Sequence, residues 1–291
     1  MKLSVIIPCL NAADTIVTQL DALANQQWSE PWEVIVSDNG STDNSKEVVK
    51  KYEGRLPHLC IVDASGRRGR AYARNMAAKV ARGESLAFCD ADDEVAPGWL
   101  AAMGEALSKY DFVACRIDVY KLNPLWIAKT RNHSQASGLQ TKGAPPHLSH
   151  AGGSTIGVKR RFHDEVGGFD EAFIRQQDTD YCWRIQLKGA ALHFVPEAVV
   201  HVRLRDTIKD TYLQSFGTGE YAVLLYKKYL PLGMLKITLK QGIVAWKNLV
   251  VGFIRSVPKI RNKGDLIPWA SRFGVRLGRL KGSVKYRVFA L

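Results

Sequence analysis

The chain has 291 residues, 46% hydrophobic, 24% charged and 9% aromatic, which excludes a disordered chain, a collagen and a disulfide-stapled miniprotein and leaves enough material for a sizeable core. The net charge of +13 is unevenly placed: residues 201–291 hold 18 Lys and Arg against four acids, a net +14, whereas residues 1–200 come to −1. A near-neutral body carries a strongly basic tail.

The five cysteines, Cys9, Cys60, Cys89, Cys115 and Cys182, form an odd set with no zinc-like pair, and they read as reduced core residues of a cytosolic protein. The opening apolar run reaches Pro8 at once, too soon for a signal peptide, so no export is expected. Apolar, β-branched runs at 3–7, 33–37, 59–62 and 85–89 alternate with helix-length stretches at 14–25, 42–52 and 70–81. That alternation predicts a doubly wound, mostly parallel sheet flanked by helices, in which ligands bind beyond the carboxyl ends of the strands. From about 121 to 153 the pattern fails. Prolines, glycines and His133, His147 and His150 predict a long loop over the site, its histidines solvated or, less in keeping with their spacing, metal ligands. Order returns at 152–158, a helix is expected over 178–188, and a strand pair at 191–195 and 198–202 closes the region near His201.

Each strand end carries chemistry. Asp90 and Asp92, one small residue apart, can aim two carboxylates at one hard cation such as Mg2+ or Mn2+, which in turn bridges phosphate oxygens. Taken alone, the pair also suits an acidic turn capping the helix that opens near Pro97. Asp38, ending the second strand, can accept from a ribose hydroxyl or a base N–H, or form an Asx-turn into the next helix. Gly66-Arg67-Arg68-Gly69-Arg70 is neither a Walker loop nor a dinucleotide fingerprint. Its arginines precede a helix and can meet a diphosphate or stay solvated.

Six segments in order, Ser4–Asn11, Val36–Asp43, Gly69–Asn75, Phe88–Asp93, Gly167–Asp170 and Asp178–Arg184, closely resemble the motifs of glycosyltransferase family 2, the inverting GT-A enzymes. The resemblance covers about residues 1–203. It implies a GT-A domain with a nucleotide-sugar half to about 115 and an acceptor half after it, transferring sugar from a nucleotide-diphosphate donor to a hydroxyl of a saccharide or lipid-linked acceptor in cell-surface glycan synthesis. By the same resemblance Pro8, Asn11 and Asp38 line the nucleoside pocket, and Gly69 and Arg70 approach base and diphosphate. Asp90 and Asp92 hold Mn2+ or Mg2+, with Asp92 the direct ligand and His201 a candidate third. Asp178 falls on the catalytic base, with Asp180 as the fallback. Gln177 replaces the family's Glu before it; losing that like charge should make Asp178 a weaker base.

Residues 204–291 form a separate basic, helical region. Within 230–254, Lys236, Lys240 and Lys247 project from one narrow face of an apolar helix, leaving a wide apolar face opposite, and Arg272, Arg276 and Arg279 repeat a one-sided basic pattern. Three lysines in hydrocarbon would cost on the order of 7–10 kcal/mol, which favours lying on an anionic membrane surface, at the inner face of the cell membrane, over spanning it. The alternative is that this face packs on the catalytic domain or a second copy. No nucleic-acid module is recognisable, so nucleic acid is not an expected partner. Rival readings are a sugar-phosphate nucleotidyltransferase, which would need a glycine-rich basic loop after the first strand, and a non-catalytic nucleotide-sugar-binding subunit.

Overall fold

The computed structural model describes residues 1–129, 134–141, 148–261 and 263–290; His133 and His147 lie outside them. In chain order the strands are β1 (Leu3–Cys9), β2 (Trp32–Asp38), β3 (Cys60–Asp63), β4 (Ser85–Phe88), β5 (Glu94–Val95), β6 (Phe112–Asp118), β7 (Gln140–Thr141), β8 (Ser149–His150), β9 (Ile156–Lys159) and β10 (Leu192–His201). The α-helices are α1 (Ile16–Ala24), α2 (Ser45–Lys50), α3 (Arg70–Val80), α4 (Trp99–Lys109), α5 (Leu125–Ala128), α6 (Arg160–Glu165), α7 (Gln177–Leu187), α8 (Ile208–Tyr229), α9 (Leu239–Ser256) and α10 (Ile267–Lys285).

Eight strands form one sheet in the order β3-β2-β1-β4-β9-β6-β10-β5. The sheet is more mixed than the alternation predicts: β9 runs antiparallel between β4 and β6, and β5 antiparallel beside β10. Every residue of β1 and β2 is buried, as a strand covered on both faces requires. Leu3, Val5 and Ile7 face Ile16, Leu20 and Leu23 of α1 and Trp99 and Met103 of α4, while Ile6 joins Ala77 of α3 and Tyr181 of α7 on the other face. β1 and β2 run parallel and in register until Cys9 meets Asp38, and β4 pairs with the other side of β1. The loops after β1, β2 and β4 therefore leave from one sheet edge, where the chain switches direction.

Three predicted elements differ: the helix read within 230–254 begins only at Leu239, which leaves Lys236 outside it. The helix expected from Thr42 begins at Ser45, because Asp43 spends its carboxylate on Ala13 N (3.1 Å) and Ser45 Oγ (2.5 Å) and Thr42 N binds Asn11 Oδ1 (2.8 Å). The strands expected at 191–195 and 198–202 are one strand, whose pairing with β6 jumps from Val195↔Cys115 to Val199↔Arg116. Pro196, with no N–H for the ladder, sits in that bulge. Four of the cysteines are buried and Cys60 is exposed, all as free thiols.

The C-terminal helices are not a detached tail. Tyr221, Leu225 and Tyr229 of α8 enter the core around Tyr181 and Trp183, and Lys228 reaches Asp170 (2.8 Å) and Asp180 (2.7 Å). α10 crosses α8 through Gly274, Gly278 and Gly282, whose Cα atoms face Tyr212, Phe216, Glu220 and Val223 too closely for a side chain. α9 opens with a capping box formed by Thr238 and Gln241. Its apolar residues split: Leu249 is buried and Phe253 packs on Trp269, whereas Leu239, Ile243, Val250 and Ile254 are exposed. At about 100° per residue this exposed stripe lies beside Lys240 and Lys247 rather than opposite them. Among the described residues no helix is long and apolar enough to cross a membrane.

Candidate active site

A cavity of about 1010 Å3 opens where the three strand-end loops meet α7 and α8. Pro8, Asn11, Gly69, Arg70, Asp90, Asp92 and Asp178, seven of the residues singled out in the sequence, line it. Asn11 adopts φ 49°, and its Oδ1 accepts from Thr42 N while its own N–H donates to Ser41 Oγ (3.0 Å). The first and second strand-end loops are thereby tied together. Asn39 ties in the loop after β3: Nδ2 donates to Ala64 O (2.6 Å) and Arg67 O (2.7 Å), and Gly69 N donates to Oδ1 (2.8 Å). Gly69, at φ 140°, makes a turn into α3 that a side chain would strain.

Asp90 is fixed by two arginines. Arg74, buried one turn along α3, donates to Oδ1 at 2.7 Å, and Arg70 stands 3.4 Å from Oδ2. Burial opposes the charge on Asp90, but the two guanidiniums outweigh it and hold the carboxyl below its usual range. Among the described residues the ion-pair partner of Asp92 is Arg205 at 3.7 Å, and burial together with the charge of Asp90 pushes its carboxyl upward. Asp93 is buried, driven further up by desolvation and its two neighbours, and accepts from Arg203 N (3.1 Å). Oxygens of Asp90, Asp92 and Asp93 lie within 4.8 Å of one another, a hard-oxygen set that fits Mg2+ or Mn2+. Asp92, under-compensated and on the cavity wall, is the member best placed to meet the ion. Arg70 stands 3.4 Å from Asp90 and lines the cavity with Asp92 and Asp178, and their negative charges raise its own value against partial desolvation.

Asp178 lies in the first turn of α7, with Thr179 N donating to Oδ1 at 2.8 Å. Gln177 beside it is buried, and its Oε1 has no hydrogen-bond partner among the described residues. Asp180 does not line the cavity. It is fully buried, bound by Arg184 (2.7 Å) and Lys228 (2.7 Å), and it anchors α7 to α8.

Two of the expected residues stand elsewhere. Asp38 is turned under the loop, accepting from Gly40 N (3.2 Å) and Ser41 N (3.3 Å) and pairing with Lys46 (3.2 Å); Asn39 takes its place on the wall. His201 neither lines the cavity nor joins the Asp90, Asp92 and Asp93 cluster, and its Nδ1 lies 2.7 Å from Asp118 Oδ2. Arg203 and Arg205, just after it, reach the cavity instead.

Arg74, Asn39, Arg175, Arg203 and Arg205 were not singled out from the sequence. For Arg74 a signal existed, since it lies four residues after Arg70 and hence on the same helix face. The motif residue Asn75 binds both Phe169 N (2.8 Å) and Phe169 O (2.9 Å), which holds the Gly-Gly-Phe turn against α3.

The family model described as "Glycosyl transferase family 2" matches residues 4–167. The "Uncharacterized glycosyltransferase YibD" of Escherichia coli K12 is 45% identical over 96 residues, 33% of this chain and 27% of that protein. The amylovoran biosynthesis glycosyltransferase AmsB of Erwinia amylovora is 31% identical over 204 residues, 65% of each chain. The chain thus matches well under a third of the first relative and about two thirds of the second. Among solved structures, the Pyrobaculum calidifontis mannosyltransferase PcManGT, in complex with GDP-Man and Mn2+, superposes with a TM-score of 0.69 at 20% identity, covering 97% of this chain and 86% of that one. S. aureus TarS 1–349 in complex with UDP superposes at 0.56 and 19% identity, over 100% and 93%. Strand-end geometry, motif order and the match over more than half of its length together place the chain in glycosyl transferase family 2.

Proposed function

We propose that the chain is a metal-dependent inverting glycosyltransferase, moving a sugar from a nucleotide-diphosphate sugar to a hydroxyl of a saccharide or lipid-linked acceptor in cell-surface glycan synthesis. The observation that carries this reading is that Asp92 and Asp178 line one cavity with Arg70 near both. The nucleoside lies against Pro8, Asn11 and Asn39, and the diphosphate meets Arg70 at the α3 N-terminus, where helix amides favour an anion. Asp92 would hold a Mn2+ or Mg2+ ion, which would supply Lewis-acid stabilisation of the leaving diphosphate. Asp178 accepts the proton of the acceptor hydroxyl as its oxygen bonds to the anomeric carbon. The bond to the diphosphate breaks on the opposite face, its electron pair leaving with the nucleotide. The named complexes of PcManGT with GDP-Man and Mn2+ and of TarS with UDP support a donor and a metal of this kind.

The exposed stripe of α9 and the surrounding cations support attachment to an anionic membrane surface, as a peripheral protein at the cytoplasmic face, with self-association through the same region as the competing use. A thermal-shift panel of UDP-, GDP- and dTDP-sugars with and without Mn2+ tests the core of the proposal. One donor at about 100 times its Kd should add about 2.7 kcal/mol to stability, only with metal and not in Asp92→Asn. No shift with any donor, together with no transfer or donor hydrolysis by mass spectrometry, would overturn it.

A further inference from the structure

The cavity holds more positive charge than a donor can use. Arg68, Arg70, Arg175, Arg203 and Arg205 line it against Asp90, Asp92 and Asp178, and Asp90 is already matched from behind by Arg74. On the transferase reading, on which this inference rests, a nucleotide-diphosphate sugar and its divalent ion cancel in charge. The arginine surplus therefore remains when the donor site is full.

Part of that surplus comes from the α7–α8 side of the cavity. Arg175 precedes α7 and packs along Gly217 of α8, on the side of the cavity that Asp178 and Thr218 also line. It is half-buried, and it makes no ion pair or hydrogen bond with any described residue. Burial and the nearby guanidiniums of Arg70 and Arg205 pull it below the ordinary arginine range, with only Asp178 opposing. An unpaired cation held among like charges and partly out of water is costly unless an anion arrives from outside.

We propose that this wall binds a phosphate of the acceptor through Arg175, so that the hydroxyl presented to Asp178 belongs to a phosphate-bearing molecule. A guanidinium fork fits phosphate oxygens in bidentate fashion. Two sources share that chemistry, a polyol-phosphate chain and the diphosphate head of a polyprenyl-linked saccharide.

The test is a phosphate titration, read by thermal shift, on the full chain saturated with the nucleoside diphosphate that stabilises it best and Mg2+. Inorganic phosphate should raise the melting temperature further. Its apparent Kd should weaken about tenfold or more in Arg175→Gln, recover in part in Arg175→Lys, and leave the nucleotide increment unchanged. No phosphate increment, an equal one in Arg175→Gln, or an equal one from acetate at matched ionic strength overturns the proposal. If no nucleotide shifts the protein, the transferase reading is what fails, and the same titration on the free chain still decides the anion site. Competition by a glycerol-phosphate oligomer or by a short polyprenyl diphosphate then separates the two sources. A neutral saccharide used with a kcat/KM untouched by Arg175→Gln also overturns it.

Discussion

Arg74 Nη2 donates to Asp90 Oδ1 at 2.7 Å from a side chain only 2% exposed, so the first aspartate of the Asp-Ala-Asp turn is clamped from inside the protein. The clamp divides labour between two carboxylates one residue apart. Asp90 is spent on Arg74 and Arg70, and Asp92 faces the cavity with Arg205 at 3.7 Å.

Removing Arg74 should leave Asp90 charged, buried and half-compensated by the more exposed Arg70. Arg74→Met is expected to cost about 3 kcal/mol by urea denaturation, the lower end for a broken buried pair, since Arg74 Nε and Nη1 already lack partners among the described residues. The double variant Arg74→Met, Asp90→Asn should recover most of that loss. A single-variant cost below about 1 kcal/mol would show that Asp90 relaxes into water instead.

Asp178 is half-exposed at the start of α7, and its carboxylate accepts from the amide of Thr179 (2.8 Å). No ion pair within 4 Å holds its carboxylate among the described residues. Asp178→Asn is therefore expected to lower turnover about 10²- to 10⁴-fold, the usual share of general-base help, with donor-induced stabilisation near normal. Loss of both in parallel would assign the residue a structural role.

These variants fall where the sequence was most legible. Short-range motifs sit at strand ends, and parallel register carries them to one edge, so seven of the expected residues meet at one cavity. Asp38 and Asn39 show the limit: successive residues leaving a strand point to opposite sides, and no pattern says which faces the ligand. Arg175, Arg203 and Arg205 lie in irregular segments with no period to read. In the tail, arginines spaced along one helix drew attention, whereas the interface with α8 is made by the glycines between them, whose role depends on a partner helix far away in sequence.

That helix crossing gives a paired prediction. A Cβ on Gly278 would run into the backbone of Phe216, whereas one on Gly252 of α9 meets nothing within 4 Å. Gly278→Val should cost about 1–3 kcal/mol or more through forced separation of α8 and α10. Gly252→Ala should add about 0.5–1 kcal/mol by helix propensity. Denaturation midpoints check both, and equal effects would mean that the two helices do not pack this closely.

His163 sets a pH dependence. It is 5% exposed, Nδ1 lies 2.8 Å from Tyr181 Oη, and burial with the nearby Arg160 and Arg184 pulls it down from 6.5 to about 4. Between those values the unfolded chain holds a proton that the fold rejects, so this contribution is fully present above about 6.5 and is lost as pH falls toward 4. From pH 7 to pH 5 it should remove about 2 kcal/mol of stability. His163→Gln should be less stable at pH 7 and should lack this part of the slope; an unchanged slope would place the titration elsewhere.

The exposed stripe of α9 carries the membrane prediction. Leu239, Ile243, Val250 and Ile254 are 54–63% exposed and span about 60° of the helix, with Lys240 and Lys247 beginning about 20–40° further round. Lysines at the border of an apolar stripe can lie along it and lift their ammonium groups to lipid phosphates, as an interfacial helix requires. Each side chain buried in the interface is worth up to about 1.5–3 kcal/mol and each lysine about 1 kcal/mol near an anionic leaflet. The full chain should therefore float with anionic vesicles, less so at high salt, and Ile243→Asp, Ile254→Asp should abolish flotation while leaving the melting temperature within a degree or two. Flotation that survives the double substitution would mean that another surface holds the lipid, and a wild-type chain that stays at the bottom of the gradient but elutes as a dimer would give the stripe to a second copy.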